Sequence, residues 1–347
     1  MTVLKAAELA GIYIPTLCHK DDLPHYTSCY VCIVKDISSD KYIPSCSALV
    51  HEGMNIDTSG EDVTEMRKRA VELLLYEHRA ECEAPCRIVC PAGLNIPLMN
   101  RLIASENLDG AKQLAMSESH SSEIMCVSCP AYCENACRRK KIDKPVSIRN
   151  IQLFISKSIG QDEGYINAHN VKINDLSRET PDSRRERVRK RFSSRIGRLE
   201  AEELSEWLKE CEGSQTRSEK IDTFEDAVDE SRSCMHCDCR ASENCRLREI
   251  AEQTGVKDPR GKIVATPIKK KINRNTGLIF ESAKCIKCGL CVRICDDNKD
   301  EAALCFINRG FVTLLSEPLT ESFSDTLKTM ADKCIEICPT GALSRYN

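Results

Sequence analysis

Long apolar runs, aromatic side chains and an excess of either charge are all scarce in this sequence. It has no stretch of 18 or more apolar residues, so it predicts neither a membrane span nor an export signal. Aromatic residues make up 5% of the 347 positions, which argues against one large core. The net charge of −3 predicts no binding to nucleic acids or membrane surfaces. The glycine-rich fingerprints of nicotinamide, flavin and ATP sites are also missing.

Cysteine, in contrast, is abundant. The chain has 23 cysteines, most of them in short-spaced groups, and only 7 histidines. Disulfide frameworks belong to small secreted domains, whereas this pattern without a secretion signal indicates metal binding. Many thiols with few imidazoles favour zinc or iron–sulfur centres over copper, calcium or magnesium. Because metal binding contributes folding free energy, several small cysteine modules are expected.

The first cysteine group has the spacing C-x10-C-x2-C-x13-C and comprises Cys18, Cys29, Cys32 and Cys46. A helical pattern spans Thr2–Ala10, and Cys29–Ile37 has β character. Thiols held by long loops suit a [2Fe-2S] cluster. A four-cysteine zinc site is the alternative, although its usual pattern has two C-x2-C pairs.

The segments TVLKAAELAGIYIPTLC and YIPSCSALVHEGM resemble the β-grasp [2Fe-2S] ferredoxin domain of the large iron–sulfur subunit of complex I and of multimeric NAD-linked hydrogenases. The spacing is of this respiratory type and not the plant type. The resemblance covers about residues 1–80. That domain begins with a β-hairpin before the TVLKAA helix, so we expect an upstream start codon or a partner that covers the sheet edge.

Two further sets of residues recur every three or four positions, which places each set on one helix face. They are His78, Cys82, Cys86 and Cys90, and Cys126, Cys129, Cys133 and Cys137. Pro91 and Pro130 predict turns at the ends of these stripes. Ile96–Ser105 and Leu108–Ser117 predict a helical pair between them. The stripes supply enough ligands for two [4Fe-4S] clusters.

The sequences around these two sets of residues are ECEAPCRIVCPAG and CVSCPAYCENACRRKK. They resemble the helical double-cluster domain of glutamate synthase small subunits and dihydropyrimidine dehydrogenase. The resemblance implies interleaved ligands. One cluster would use Cys82, Cys86, Cys137 and a fourth ligand; the other would use Cys90, Cys129, Cys133 and Gln152. Cys126 has no role in this scheme.

The sequence departs from this family at one point, because the family's first cysteine, a few residues before Cys82, is missing here. His78 stands near that place, and YEHRAEC resembles the H-x3-C start of a histidine-ligated cluster motif in complex I. His78 is therefore the expected ligand, with a solvent-facing helix histidine as the alternative. For Gln152 the alternative is a polar surface side chain.

Residues 160–230 are rich in charge and poor in apolar side chains. The basic run Arg184–Arg198 is either a nucleic-acid arm or a solvated helix or linker, and its one aromatic residue, Phe192, favours the second interpretation. An amphipathic helix is predicted after it, with an apolar side made of Leu199, Leu204, Trp207 and Leu208.

A tight C-x2-C-x-C-x5-C group then follows, formed by Cys234, Cys237, Cys239 and Cys245. Either a [4Fe-4S] cluster or a structural Zn²⁺ fits this spacing. His236 lies inside the group and is not needed as a ligand.

The run CIKCGLCVRIC with the later CIEICPTGAL resembles a bacterial two-cluster ferredoxin. The resemblance implies one [4Fe-4S] cluster on Cys285, Cys288, Cys291 and Cys338, because the last cysteine of each run serves the other cluster. The second run has Lys328 and Ala331 where cysteines are needed. Cys295 and Cys334 therefore lack partners, and the second cluster is expected to be lost. Cys211 and Cys305 have no assigned role.

The predicted fold class is multidomain α+β, with a β-grasp [2Fe-2S] ferredoxin, an all-α double-cluster domain and a C-terminal bacterial-ferredoxin-like domain. The expected domains are 1–77 (β-grasp), 78–160 (helical double-cluster), 161–230 (charged helical linker), 231–262 (four-cysteine module) and 263–347 (bacterial-type ferredoxin). The expected cofactors are one [2Fe-2S], three to four [4Fe-4S] and, if the four-cysteine module is structural, one Zn²⁺.

These centres without a catalytic pocket predict an electron relay. The resemblance implies the iron–sulfur subunit of an NAD-linked hydrogenase or formate dehydrogenase complex, a group that includes electron-bifurcating complexes. Its partners would be a flavin-containing NADH-oxidising subunit, a small thioredoxin-like [2Fe-2S] subunit, a catalytic subunit and soluble ferredoxin, in the cytoplasm. In this scheme the helical clusters lead to the catalytic subunit, and the C-terminal cluster exchanges with ferredoxin or forms a branch. The alternatives are a stand-alone ferredoxin-like carrier and a zinc-binding scaffold or nucleic-acid module.

Metal analysis of anaerobically purified protein separates these interpretations. About 18 Fe per chain with acid-labile sulfide and no zinc would indicate one [2Fe-2S] and four [4Fe-4S] centres, including one at Cys234–Cys245. About 14 Fe with one Zn would make the Cys234–Cys245 group structural. Several equivalents of zinc without sulfide would contradict electron transfer altogether.

Overall fold

The computed structural model describes residues 1–79, 81–118, 126–160, 201–211, 217, 220–256, 268–297, 304–318, 322–324 and 327–346. The chain forms two compact units. One combines Met1–Ala80 with Arg240–Tyr346, and the other comprises Glu81–Cys239. The predicted basic run Arg184–Arg198 lies outside the described residues, as does most of the predicted linker 161–230.

The N-terminal part of the first unit is a small sheet with two helices. Helix α1 spans Val3–Leu9, and the hydroxyl of its N-cap Thr2 accepts a hydrogen bond from the backbone of Lys5. Three antiparallel strands follow, in the order β2-β1-β3: β1 (Ile33–Asp36), β2 (Lys41–Pro44) and β3 (Ile56–Asp57). Helix α2 runs over Glu61–Glu77. The helix predicted at Thr2–Ala10 and the strand predicted within Cys29–Ile37 are both observed.

The second unit is built from short helices around one core. They are α3 (Pro85–Val89), α4 (Ile96–Ala104), α5 (Leu108–Glu118), α6 (Tyr132–Asn135), α7 (Ile148–Gly160), α8 (Ala201–Leu208) and α9 (Phe224–Ser231). The predicted helical pair is therefore observed as α4 and α5. Turns occur at Pro91 and after Pro130, where Ala131 adopts a left-handed conformation. Buried residues of α4, α5, α7 and α9 share one apolar cluster, and Trp207 of α8 is fully buried as predicted.

Buried charges fix the loops of this second unit. Arg217 pairs with the fully buried Glu230 of α9 at 2.6 Å and also donates to the carbonyls of Lys144 and Pro145. Glu230 in turn accepts from the backbone of Ser147 at 2.8 Å. Every donor and acceptor in this group offsets the desolvation of another, so the loop before α7 is held against α9.

The C-terminal part of the first unit is another small sheet with helices. It contains α10 (Arg246–Gln253), β4 (Lys270–Asn273), β5 (Leu278–Glu281), α11 (Leu290–Asp297), β6 (Cys305–Ile307), β7 (Leu314–Ser316), α12 (Ala331–Ile337) and β8 (Leu343–Arg345). Strands β4, β5 and β8 form one antiparallel sheet in that order, and β6 pairs with β7. Helices α11 and α12 pack against each other.

The architecture is thus a mixture of helices and small sheets, which agrees with the predicted α+β class. Within the ranges described above, no helix is long and apolar enough to cross a membrane.

Candidate metal centres

The four N-terminal cysteines lie together because of the way β1 and β2 pair. Cys32 immediately precedes β1 and Cys46 closely follows β2, and the antiparallel register places Ile33 opposite Pro44. Ser45 reinforces the contact, since its backbone and hydroxyl both donate to the Cys32 carbonyl, at 3.2 and 2.8 Å. Cys18 and Cys29 lie in the loop that leads to β1. All four side chains are buried.

The thiols of this group form two hydrogen-bonded pairs. The Cys29 thiol lowers the pKa of Cys18 to about 5, and the backbone N–H groups of Ser28 and Cys29 add to the effect. The pKa of Cys46 is likewise lowered by Cys32 and by the hydroxyl of Thr27. One thiol of each pair is therefore stabilised as a thiolate, the form that binds metals.

The four cysteines predicted for the C-terminal cluster surround a single cavity. Cys285, Cys288, Cys291 and Cys338 line an empty volume of about 350 Å³, together with apolar side chains such as Phe306 and Leu315. Two left-handed residues, Lys287 and Gly289, turn the backbone between the first three cysteines. Burial raises the pKa of Cys285 to about 12, so this thiol is neutral unless a metal displaces its proton.

Cys295 and Cys334, expected to lack cluster partners, lie side by side. Their sulfur atoms are 3.5 Å apart and both side chains are fully buried. Apolar residues that include Phe323, Leu327 and Met330 belong to the same core cluster. The loss of the second cluster stays a prediction.

His78, the expected fourth ligand of a helical cluster, follows α2 in the first unit. It is buried, and its Nδ1 donates to the Lys284 carbonyl at 2.9 Å. Burial lowers its pKa to about 4, so the ring is neutral and its lone pair is on Nε2. The predicted set of His78 with Cys82, Cys86 and Cys137 is divided between the two units. That set stays a prediction.

In the second unit, Cys86 and Cys137 line a cavity of about 350 Å³. Two cysteines that the sequence assigned to a different group, Cys234 and Cys237, line the same cavity. Cys82 is not among the described residues that line it; its carbonyl accepts a hydrogen bond from the backbone of Cys239 at 3.1 Å. The spacing of the cysteines gives no signal that these two groups meet.

The remaining cysteines of the helical stripes gather at a second place in this unit. Burial raises the pKa of Cys126 to about 11, and the nearby thiols of Cys90 and Cys129 add to the rise. Cys133 has Cys90 and Cys126 as neighbours in the same way. Cys126, which had no role in the sequence-based scheme, therefore lies beside the predicted ligands. The sequence did carry a signal for this position, because Cys126 begins the regular spacing of three, four and four residues that continues through Cys137.

Gln152, predicted as a ligand of this second helical cluster, lies on α7, which packs against the helix that carries Cys133. The side chain is 1% exposed, and neither amide atom has a hydrogen-bond partner among the residues that the structure describes. A buried amide without a partner is unfavourable. A metal ion or cluster bound beside Gln152 would supply that partner.

The tight group predicted between Cys234 and Cys245 is divided. Cys234, Cys237 and Cys239 belong to the second unit, whereas Cys245 precedes α10 in the first, with its sulfur 3.7 Å from the Pro339 carbonyl. Cys211 donates to the carbonyls of Ser233 and Cys234, and Cys305 lies on β6. Across the described ranges, no three histidine, cysteine or acidic side chains are arranged to hold a single metal ion.

Two family models match the chain. Residues 1–61 match the 2Fe-2S iron-sulfur cluster binding domain, and residues 69–163 match dihydropyrimidine dehydrogenase domain II, 4Fe-4S cluster. These two segments are therefore similar to two kinds of iron–sulfur domain. The sequence-based identification of these segments is therefore confirmed.

This chain is similar over part of its length to several named oxidoreductase subunits. It is 35% identical over 112 residues to NADPH-Fe(3+) oxidoreductase subunit alpha of Geobacter sulfurreducens, which covers 32% of this chain and 12% of the relative. It is 35% identical over 81 residues to NAD-reducing hydrogenase HoxS subunit gamma of Cupriavidus necator, an alignment that covers 23% of this chain and 34% of the relative. It is 29% identical over 119 residues to NADP-reducing hydrogenase subunit HndD of Solidesulfovibrio fructosivorans, which covers 34% of this chain and 20% of the relative.

These alignments span no more than about a third of each relative's length. The predicted kinship with iron–sulfur subunits of multimeric NAD-linked complexes is confirmed at this level. A chain from the crystal structure of NAD+-reducing [NiFe]-hydrogenase in the H2-reduced state has a TM-score of 0.47 and 16% identity, covering 99% of this chain and 80% of that one.

Replacing Cys288 by alanine removes one of the four thiols around the C-terminal cavity. We expect a loss of about four iron and four sulfide per chain, or conversion to a three-iron form, because too few thiolates remain. The matched control is Cys305→Ala, whose thiol does not line that cavity. Equal iron loss in both variants, measured by iron and sulfide analysis with EPR of the reduced protein, would contradict the assignment.

Proposed function

We propose that this protein is the electron-relay iron–sulfur subunit of an NAD-linked oxidoreductase complex. It would link a flavin-containing NADH-oxidising subunit and a small thioredoxin-like [2Fe-2S] subunit to a hydrogenase or formate dehydrogenase catalytic subunit and to ferredoxin, with electron bifurcation as one form of this role. The two matched iron–sulfur domains and the names of the relatives support the proposal. So does the arrangement of four thiols around one cavity in each unit.

The residues of the first unit fit two centres. The pairs Cys18–Cys29 and Cys32–Cys46 suit the two irons of a [2Fe-2S] cluster, since each iron takes two thiolates. The four cysteines around the C-terminal cavity suit one [4Fe-4S] cluster.

The second unit fits two more centres. One would be held by Cys90, Cys129, Cys133 and Gln152, with Cys126 close enough to compete for a coordination position. The other includes Cys86 and Cys137. His78 presents a neutral ring with its lone pair on Nε2, as a metal ligand requires, and remains a candidate ligand. Bound clusters would supply one-electron redox chemistry. The residues of the chain would set the polarity and hydrogen bonding around each cluster.

A single side chain connects the two candidate centres of the first unit, and this observation carries the proposal. Arg293 on α11 donates from Nη2 to the carbonyl of the cluster residue Cys18 at 2.6 Å and to that of Cys288 at 3.4 Å. Its Nη1 donates to the Pro24 carbonyl at 2.6 Å. The guanidinium is buried and charged, and it has carbonyl oxygens as its partners.

Two aromatic rings continue the same contact. The guanidinium lies 5.7 Å from the centre of the Tyr26 ring, which stacks on Phe306 with 6.4 Å between ring centres. Phe306 in turn lines the C-terminal cavity. Gly289 lies against both rings with φ +71°, a left-handed conformation that favours glycine.

These contacts support direct electron exchange between the proposed [2Fe-2S] and C-terminal [4Fe-4S] centres, because one side chain bonds to a ligand residue of each. In this proposal the C-terminal centre exchanges electrons with the [2Fe-2S] centre and with ferredoxin. A buried positive charge between the centres also stabilises the reduced, more negative state of each.

Arg293→Met tests this connection. We expect the reduction potentials of both the [2Fe-2S] and the C-terminal [4Fe-4S] centre to fall, because the positive charge near each is removed, as measured by EPR-monitored redox titration. The control is Arg69→Met, which removes an exposed arginine of α2 and should change neither potential.

A shift at only one centre would contradict a shared role of Arg293. If Arg293→Met loses iron, the conservative Arg293→Lys variant tests whether the charge sets the two potentials. It retains the charge and should keep both potentials close to the wild-type values.

Purification of the native complex under anaerobic conditions tests the function as a whole. We expect the chain to co-purify with a flavoprotein, and NADH to bleach the visible absorption of its clusters. A brown monomer without flavoprotein would favour a stand-alone carrier. A colourless zinc protein would contradict both the complex subunit and the stand-alone carrier.

A further inference from the structure

Four thiols from sequence-distant segments of the second unit meet around one cavity. We propose that Cys86, Cys137, Cys234 and Cys237 together hold a single [4Fe-4S] cluster. The C-x2-C pair at 234–237 would then complete a site of the helical double-cluster domain and would not belong to a separate four-cysteine module. This inference rests on the proposed iron–sulfur function and specifies the ligands of one of its centres.

Rigid elements place each of the four thiols. Cys86 lies on α3, and Cys137 lies between α6 and the 3-10 turn Arg138–Lys141. Cys234 and Cys237 follow α9, which packs on α4 and is tied through Glu230 to the loop before α7. Cys234 belongs to the apolar core of the unit, and Cys86 and Cys137 pack against that core. The thiols are therefore held by packed helices.

The four thiols share an apolar surrounding. Ile96, Val146 and Ile148 line the same cavity as Cys86, Cys137, Cys234 and Cys237. Four cysteines around one space supply the number of thiolates that a [4Fe-4S] cluster takes. Burial raises the pKa of Cys234 to about 12 and that of Cys86 well above its ordinary value.

Polar groups on the same wall match an anionic cluster. Asn100 is fully buried and lines the cavity. It lies beside Cys234, and its amide favours the thiolate of that residue. The buried Arg138 also lines the cavity, with its guanidinium paired to Glu81 at 2.9 Å. The Asn100 N–H would donate to a ligand or cluster sulfur in the proposed site.

The neighbouring Cys211 provides a matched control within the same unit. Its thiol donates to the carbonyls of Ser233 and Cys234, at 3.6 and 3.5 Å, and it is not among the described residues that line the cavity. Removing this thiol therefore disturbs the same loop without removing a proposed ligand.

Iron counting in the full-length protein, purified anaerobically, tests the shared site. The variants are Cys86→Ala with Cys137→Ala, Cys234→Ala with Cys237→Ala, and all four changes together. Each pair should lose about four iron and four sulfide, because two remaining thiolates cannot hold the cluster. The quadruple variant should lose the same four, because both pairs serve one cluster. Cys211→Ala should lose none, and the [2Fe-2S] EPR signal should persist throughout.

A loss of about eight iron in the quadruple variant would show two separate clusters and overturn the proposal, as would full iron in either pair. Wild-type protein with zinc and no sulfide would instead overturn the proposed function itself. If the variants lose the [2Fe-2S] signal and hence their fold, Asn100→Leu decides. With full iron content it should lower the potential of one [4Fe-4S] centre, and no shift would overturn the shared site.

Discussion

The burial of many thiols around interior cavities is the constraint on which the rest of this structure depends. A thiol in an apolar wall is neutral and contributes little on its own, whereas four of them around one space can bind a cluster whose binding free energy adds to folding. The elements are correspondingly short, and cysteines lie at helix ends, turns and strand ends. The N-terminal pair Cys32 and Cys46 follows directly from the register of β1 and β2.

Arginines and buried amides complete these sites from the outside. Arg67 donates to the carbonyls of Val31 and Ile33 and so holds α2 against the N-terminal cysteine loop. Arg293 does the same for two cysteine loops at once. Asn100 and Gln152 contribute buried amide groups, and Asn100 lies beside Cys234. Charge and hydrogen bonds to sulfur tune the potential of an iron–sulfur centre, so such groups would influence any cluster bound near them.

Local features were predicted well from the sequence. The helix at Thr2–Ala10, the helical pair that became α4 and α5, and the turns at Pro91 and Pro130 depend on capping, periodicity and proline geometry, all of which act within a few residues. The motif C-x2-C-x2-C was also grouped with the distant Cys338, and these four thiols line one cavity. That grouping came from the resemblance to bacterial ferredoxins, in which the last cysteine of one run serves the other cluster.

What the sequence by itself determined is the kind of chemistry: clustered thiols, two iron–sulfur domains and short elements that cannot form one large core. Only the tertiary structure decided which thiols lie around the same cavity. Cys234 and Cys237 are close in sequence to Cys239 and yet line a cavity with Cys86 and Cys137, because α9 packs on α4. Arg293 connects Cys18 and Cys288 across some 270 positions. Spacing rules describe neighbours along the chain, whereas these contacts result from helix packing and from buried charges that need partners.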